Sequence, residues 1–94
     1  MVITGLLTVE VALGEGTSLK DKRHIIRSLL DTIRHRFNIS AAETDFLDNL
    51  RRSEMAFAVV SNQQSFANSV LEKVIHAIES DPRMSILDSS LEFI

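Results

Sequence analysis

The chain predicts an α+β sandwich of order βαββαβ, in which a four-stranded antiparallel sheet carries two helices on one face. Three features predict it: apolar alternation with a period of two near the N-terminus, two long stretches with helical apolar spacing, and three further strand-like runs placed around them.

In residues 2–13 the apolar side chains Ile3, Leu7, Val9, Val11 and Leu13 share the odd positions, which makes a half-buried strand. Gly14-Glu15-Gly16-Thr17 interrupts that pattern, and Ser18 then stands where a helix needs a side-chain oxygen to accept from a free first-turn amide. From Leu19 to Phe37 the residues Leu19, Ile26, Leu29, Leu30, Ile33 and Phe37 recur at three- and four-residue steps, one stripe of a helix.

Asn38 to Phe46, rich in β-branched and small residues, is a second strand, and Glu43 and Asp45 imply an exposed or edge position. Leu47 to Ser53 is polar and basic and reads as a connection. Glu54 to Ser61 holds the most apolar run, Met55 to Val60, and belongs in the middle of the sheet because it is apolar on both sides. Asn62 is positioned as a second N-cap, and Phe66, Val70, Val74, Ala77 and Ile78 give the stripe of a second helix that stops before Pro82, with Asn68, Glu72, Lys73 and Glu79 on its wet side. Arg83 to Ile94 is a last strand whose apolar residues Met84, Ile86, Leu87, Leu91 and Phe93 fall out of phase, the mark of a bulge.

Right-handed crossovers put both helices on the same side of such a sheet, the ferredoxin-like arrangement, and leave the other side open. That open face offers Thr4, Leu6, Thr8, Ala56, Ala58 and Val60, small and weakly apolar residues that invite a partner, with a second copy giving a homodimer.

Composition bounds the function. With 94 residues, 45% of them hydrophobic and 24% charged, the chain builds one core, so residues 1–94 are expected to form a single domain without room for a deep internal cavity. The longest apolar run has six residues against the roughly 20 of a membrane helix, so no membrane role is expected. Residues 1–5 show no basic region of a signal peptide, and the absence of cysteine removes disulfides, thiol nucleophiles and thiolate metal sites; both point to the cytoplasm.

Charge is unevenly placed. The net charge is −3, yet residues 18–37 hold six basic side chains, Lys20, Lys22, Arg23, Arg27, Arg34 and Arg36, against Asp21 and Asp31, a local +4 that leaves −7 for the rest. At about 100° per residue Lys20, Arg23, Arg27 and Arg34 share an arc of the helix beside the apolar stripe, with His24 and His35 at its edge. Cations spaced along a helix can follow a nucleic-acid backbone and gain from counterion release, whereas a face that only serves solubility mixes its signs. The competing reading is a solvated face whose cations pair with nearby carboxylates. Base-stacking sheet motifs are lacking, since there is no Trp or Tyr and Phe57 is expected in the core.

Other chemistry finds less support. His24, His35 and His76 lack the spacing of a metal pair, no nucleophile motif joins Ser, His and Asp, and no cofactor is implied. The loop at Gly14 to Ser18 has neither the spacing nor the lysine of a P-loop, and Glu15 opposes an anion there. Acylphosphatases share this length and order but carry an arginine in that loop, which this chain lacks, so a small-anion enzyme is the weakest alternative.

Ser18-Leu19-Lys20-Asp21-Lys22-Arg23, then Ser28-Leu29, Arg36-Phe37-Asn38-Ile39-Ser40, Ala42-Glu43 and Ala58-Val59-Val60-Ser61-Asn62, resemble the YlxP-like family of small bacterial proteins of unknown function over nearly the whole chain. The resemblance implies a ferredoxin-like fold, a cytoplasmic setting and association with RNA or a ribosomal assembly intermediate. Its pattern falls on Ser18, Lys20, Asp21, Lys22, Arg23 and Asn62; it departs at Leu50-Arg51, where many members carry Trp-Gln, and at Ala56, where they carry glycine. Part of the motif is helix-start chemistry, through Ser18 and Asp21, and Lys22 at the border of the stripe is expected to lay its stem on the core with its ammonium in water. The expectation is a non-enzymatic binding module that contacts RNA through Lys20, Lys22, Arg23, Arg27 and Arg34. The alternative is a protein-interaction or dimerisation module working through the open sheet face.

Overall fold

The computed structural model describes Met1–Ile94. The elements are β1 (Ile3–Leu13), α1 (Leu19–Arg36), β2 (Ser40–Asp45), β3 (Arg52–Ser61), α2 (Gln64–Glu79) and β4 (Met84–Phe93). The strands lie in the order β2-β3-β1-β4, every neighbouring pair antiparallel, so the expected ferredoxin-like topology is the one adopted.

Alternation sets the faces. Leu7, Val9 and Val11 on β1 and Met55 and Phe57 on β3 are fully buried, and they meet Ile26, Leu29, Leu30 and Ile33 of α1 and Ala67, Leu71, Val74 and Ile78 of α2. Removing such side chains from water contributes about 1.5–3 kcal/mol each, which makes this single cluster the main stabiliser of the sandwich. Gly5 belongs to the same inward row; a Cβ there would lie 2.9 Å from Leu71 Cδ1 and 3.3 Å from Val59 Cγ1, so the helix sits closer to β1 than any side chain would allow.

Ser18 caps α1 as its position predicts, its hydroxyl accepting from the Asp21 amide at 3.1 Å. The out-of-phase last strand has its cause in the pairing: Glu10 faces Asp88 and Val11 faces Ile86, which leaves Leu87 as the extra residue of a bulge.

Three expectations need correction. β2 begins at Ser40 rather than Asn38, and β3 at Arg52 rather than Glu54. The cap of α2 is Gln63 rather than Asn62, without a side-chain bond; its amide instead donates to Ser61 Oγ at 3.1 Å. Finally, α2 buries Ala67 and Leu71 while Phe66 is 58% exposed. Apolar residues occur at 66, 67, 70, 71, 74, 75, 77 and 78, so two overlapping stripes compete, and the close approach at Gly5 selects the one led by the smaller Ala67.

Candidate nucleic-acid interface

α1 turns part of its basic surface toward β2. Arg23, Arg27 and Arg34 line an open groove of about 370 Å³ together with Ile26, Leu30 and, from β2, Glu43. Lys20 extends the row by one turn and, like Arg27, has no carboxylate within salt-bridge distance. Arg23 meets Asp48 at 3.2 Å and Arg34 meets Asp31 at 3.1 Å, both pairs largely in solvent. Pairs of this kind contribute about 0.2–1 kcal/mol and exchange readily for another anion. Arg34 also donates to the Ala41 carbonyl of β2, which ties the end of the row to the sheet edge.

Lys22 does not belong to this surface, a correction to both expectations made for it. None of its side chain is exposed, and its ammonium donates to Glu43 Oε2 at 2.6 Å, the Phe46 carbonyl at 2.8 Å and the Leu47 carbonyl at 3.2 Å. All three protons are used, so neither phosphate nor water can reach it. The reason is helical phase: Lys22, Ile26, Leu29 and Ile33 follow one another at four-, three- and four-residue steps, so Lys22 is the first member of the buried stripe. Glu43 Oε2 also accepts from the buried Ser53 Oγ at 2.6 Å. Glu43, expected with Asp45 on an exposed side, is turned inward instead: register sets Glu43 and Ser53 opposite Met55 and Val11, where an unpaired carboxylate would be costly.

The same ammonium fixes the β2–β3 connection. Phe46 has a φ of 61°, costly for a bulky residue, and is held there by Lys22 on its carbonyl, by Asp45 Oδ1 accepting from its amide at 2.7 Å, and by the Arg52 guanidinium 4.8 Å from its ring centre.

On the open face, Thr4, Leu6, Thr8, Ala56 and Ala58 are half-buried and Val60 is exposed. Strand register adds what composition could not: Asp45 faces Glu54, Glu54 faces Glu10, and Glu10 faces Asp88, a cross-strand row of four carboxylates beside the small apolar residues. Arg52 bonds Glu10, and Thr44 Oγ1 donates to Glu54 Oε2 at 2.7 Å.

The remaining candidates stay apart. In the loop ahead of α1, Glu15 pairs with Arg51 and Thr17 donates to the Gly14 carbonyl at 2.8 Å. No group of three or more His, Cys, Asp or Glu side chains is placed to share a metal ion, and no helix is long and apolar enough to cross a membrane.

Comparison with known proteins places the chain. Residues 4–91 match the model of the family described as "Protein of unknown function (DUF503)", and the chain belongs to that family. It is 28% identical over 80 residues to the uncharacterized protein YlxP of Bacillus subtilis (strain 168), covering 85% of this chain and 87% of that one. Among solved structures it is similar to a de novo designed protein with ferredoxin fold, LFR1 1, with a TM-score of 0.66 and 16% identity over 95% of this chain and 84% of the other, a likeness of fold alone.

Proposed function

We propose that this member of the family is a cytoplasmic, non-enzymatic module that binds RNA, or a ribosomal assembly intermediate, through the phosphate backbone along α1. The observation that carries the reading is the convergence of Arg23, Arg27 and Arg34 on one open groove, with Lys20 a turn ahead. Phosphates take up the same charge-assisted bonds that Asp31 and Asp48 now accept, and the acidic remainder of the chain directs a polyanion toward this one side. Contacts of this type position a backbone and give little sequence preference.

The test is retention of bulk RNA and ribosomal subunits at low and moderate salt by the wild type and by a Lys20→Gln/Arg23→Gln/Arg27→Gln variant. These three side chains lie off the buried stripe, so the fold is kept while binding is lost. Equal retention by the variant would overturn the reading.

A second reading rests on a different observation, the 71% exposure of Val60 beside Thr4, Leu6, Thr8, Ala56 and Ala58: a homodimer packed through the open sheet face. Sedimentation of the wild type and of Ala58→Lys separates the two, since a sheet-face dimer dissociates in the variant and the α1 row is untouched.

A further inference from the structure

Where α1 ends and α2 begins, Arg36, Phe37, Asn38, Val60, Phe66 and Lys73 surround a groove of about 420 Å³ that the α1 row does not include. We infer that this groove is a nucleotide site, in which a base lies against the Phe66 ring and its phosphate is held by Arg36 and Lys73. The inference rests on the RNA reading where the nucleotide is part of a strand; a free mononucleotide brings the same chemistry.

The residues make the case. Phe66 is 58% exposed and Val70 lines the groove on the same helix, so an aromatic ring beside an aliphatic wall stands open to a planar ligand. Neither Arg36 nor Lys73 has a carboxylate partner, and no acidic residue lines the groove, so its charge calls for an anion. The Arg36 guanidinium lies 5.1 Å from the centre of the Phe37 ring, which orients it without using up its hydrogen bonds. Asn38, with an exposed amide, adds one donor and one acceptor group for the edge of a base.

The volume admits a small molecule, and two unpaired cations beside an exposed ring favour one that is both aromatic and anionic. Position supports it as well: Asn38 is three residues from Ala41, whose carbonyl Arg34 holds, a reach of at most about 11 Å along the chain. A strand laid on the α1 row therefore comes within a step of the groove.

The experiment is an amide NMR titration with adenosine 5′-monophosphate, with adenosine and inorganic phosphate as separate probes. Saturable shifts at Asn38, Val60, Phe66 and Lys73 are expected, stronger for the nucleotide than for either fragment. Phe66→Ala, at an exposed position that leaves the fold intact, is expected to weaken nucleotide binding roughly tenfold. Lys73→Gln is expected to weaken it and to lower its salt dependence. Absent shifts, shifts unchanged in Phe66→Ala, or equal binding of inorganic phosphate would each overturn the inference. So would an acidic helical peptide that moves the same amides at lower concentration.

A single-stranded RNA octanucleotide separates this outcome from the broader one. Loss of strand binding in the Lys20→Gln/Arg23→Gln/Arg27→Gln variant without any groove shifts leaves the α1 reading standing and the groove inference refuted. Groove shifts with the mononucleotide in a protein that binds no strand do the reverse, and identify a free nucleotide as the ligand.

Discussion

Lys22 Nζ lies 2.6 Å from Glu43 Oε2 with none of the lysine side chain exposed and 15% of the glutamate side chain in contact with solvent. This pair joins α1 to β2 and, through the Phe46 and Leu47 carbonyls, holds the loop that follows. Lys22→Met is expected to destabilise the protein by about 3 kcal/mol, because it leaves a carboxylate and two carbonyls without their cation. In a denaturant titration the double variant Lys22→Met/Glu43→Leu should recover part of that loss. Additive losses would mean that the two groups do not act as a pair.

The two predicted helix caps differ in what they do. Ser18→Ala removes the acceptor of the Asp21 amide and is expected to cost about 1 kcal/mol. Asn62→Ala, at a residue outside the α2 cap, is expected to stay within about 0.5 kcal/mol of wild type by the same unfolding measurement.

How far the sequence could be read follows from such cases. Ser18 and the odd residues of β1 declare themselves through local spacing alone, and the run Met55 to Val60 declares its central place by being apolar on both sides. Lys22 does not, because its partners lie 21 to 25 residues away and a lysine on the wheel looks like a member of the basic row. Phe66 was hidden for another reason: with two apolar stripes on α2, only the close contact of Leu71 with Gly5 settles which one turns inward. The carboxylate row is likewise a product of register, invisible until β2, β3, β1 and β4 are set side by side.

That row has a measurable cost. Glu54 faces Asp45 on one side and Glu10 on the other, while Arg52 bonds Glu10. Like charges directly opposite destabilise a sheet, so Glu54→Gln is expected to raise stability by about 0.5 kcal/mol in low salt. The gain should shrink as salt is added, and a variant less stable than wild type at low salt would show that the row is already neutralised.

Acid sensitivity is expected at the turn before β4. Arg83 donates to Asp81 from Nε at 2.9 Å and from its terminal nitrogen at 2.7 Å, and these bonds hold the Asp81 carboxyl below its usual range, with burial opposing them. A depressed carboxylate stabilises the fold fully above its unfolded pKa, about 3.9, and loses that contribution as pH falls through the lower folded value. Arg83 stays protonated throughout and adds no pH dependence there. The stability difference between wild type and Asp81→Asn should therefore be constant from pH 7 to about 5 and narrow below about 4. A difference that is unchanged at low pH would exclude the pair as its source.

The most direct measurement is the salt dependence of single-stranded RNA binding, taken as log K against log salt concentration for the wild type and for Lys20→Gln/Arg23→Gln/Arg27→Gln. With about 0.7 of slope per phosphate neutralised, the wild type is expected to show a slope of about −2 to −3 and the variant to lose about two units of it. A wild-type slope near zero, or the same slope in both proteins, would contradict a phosphate-binding row on α1.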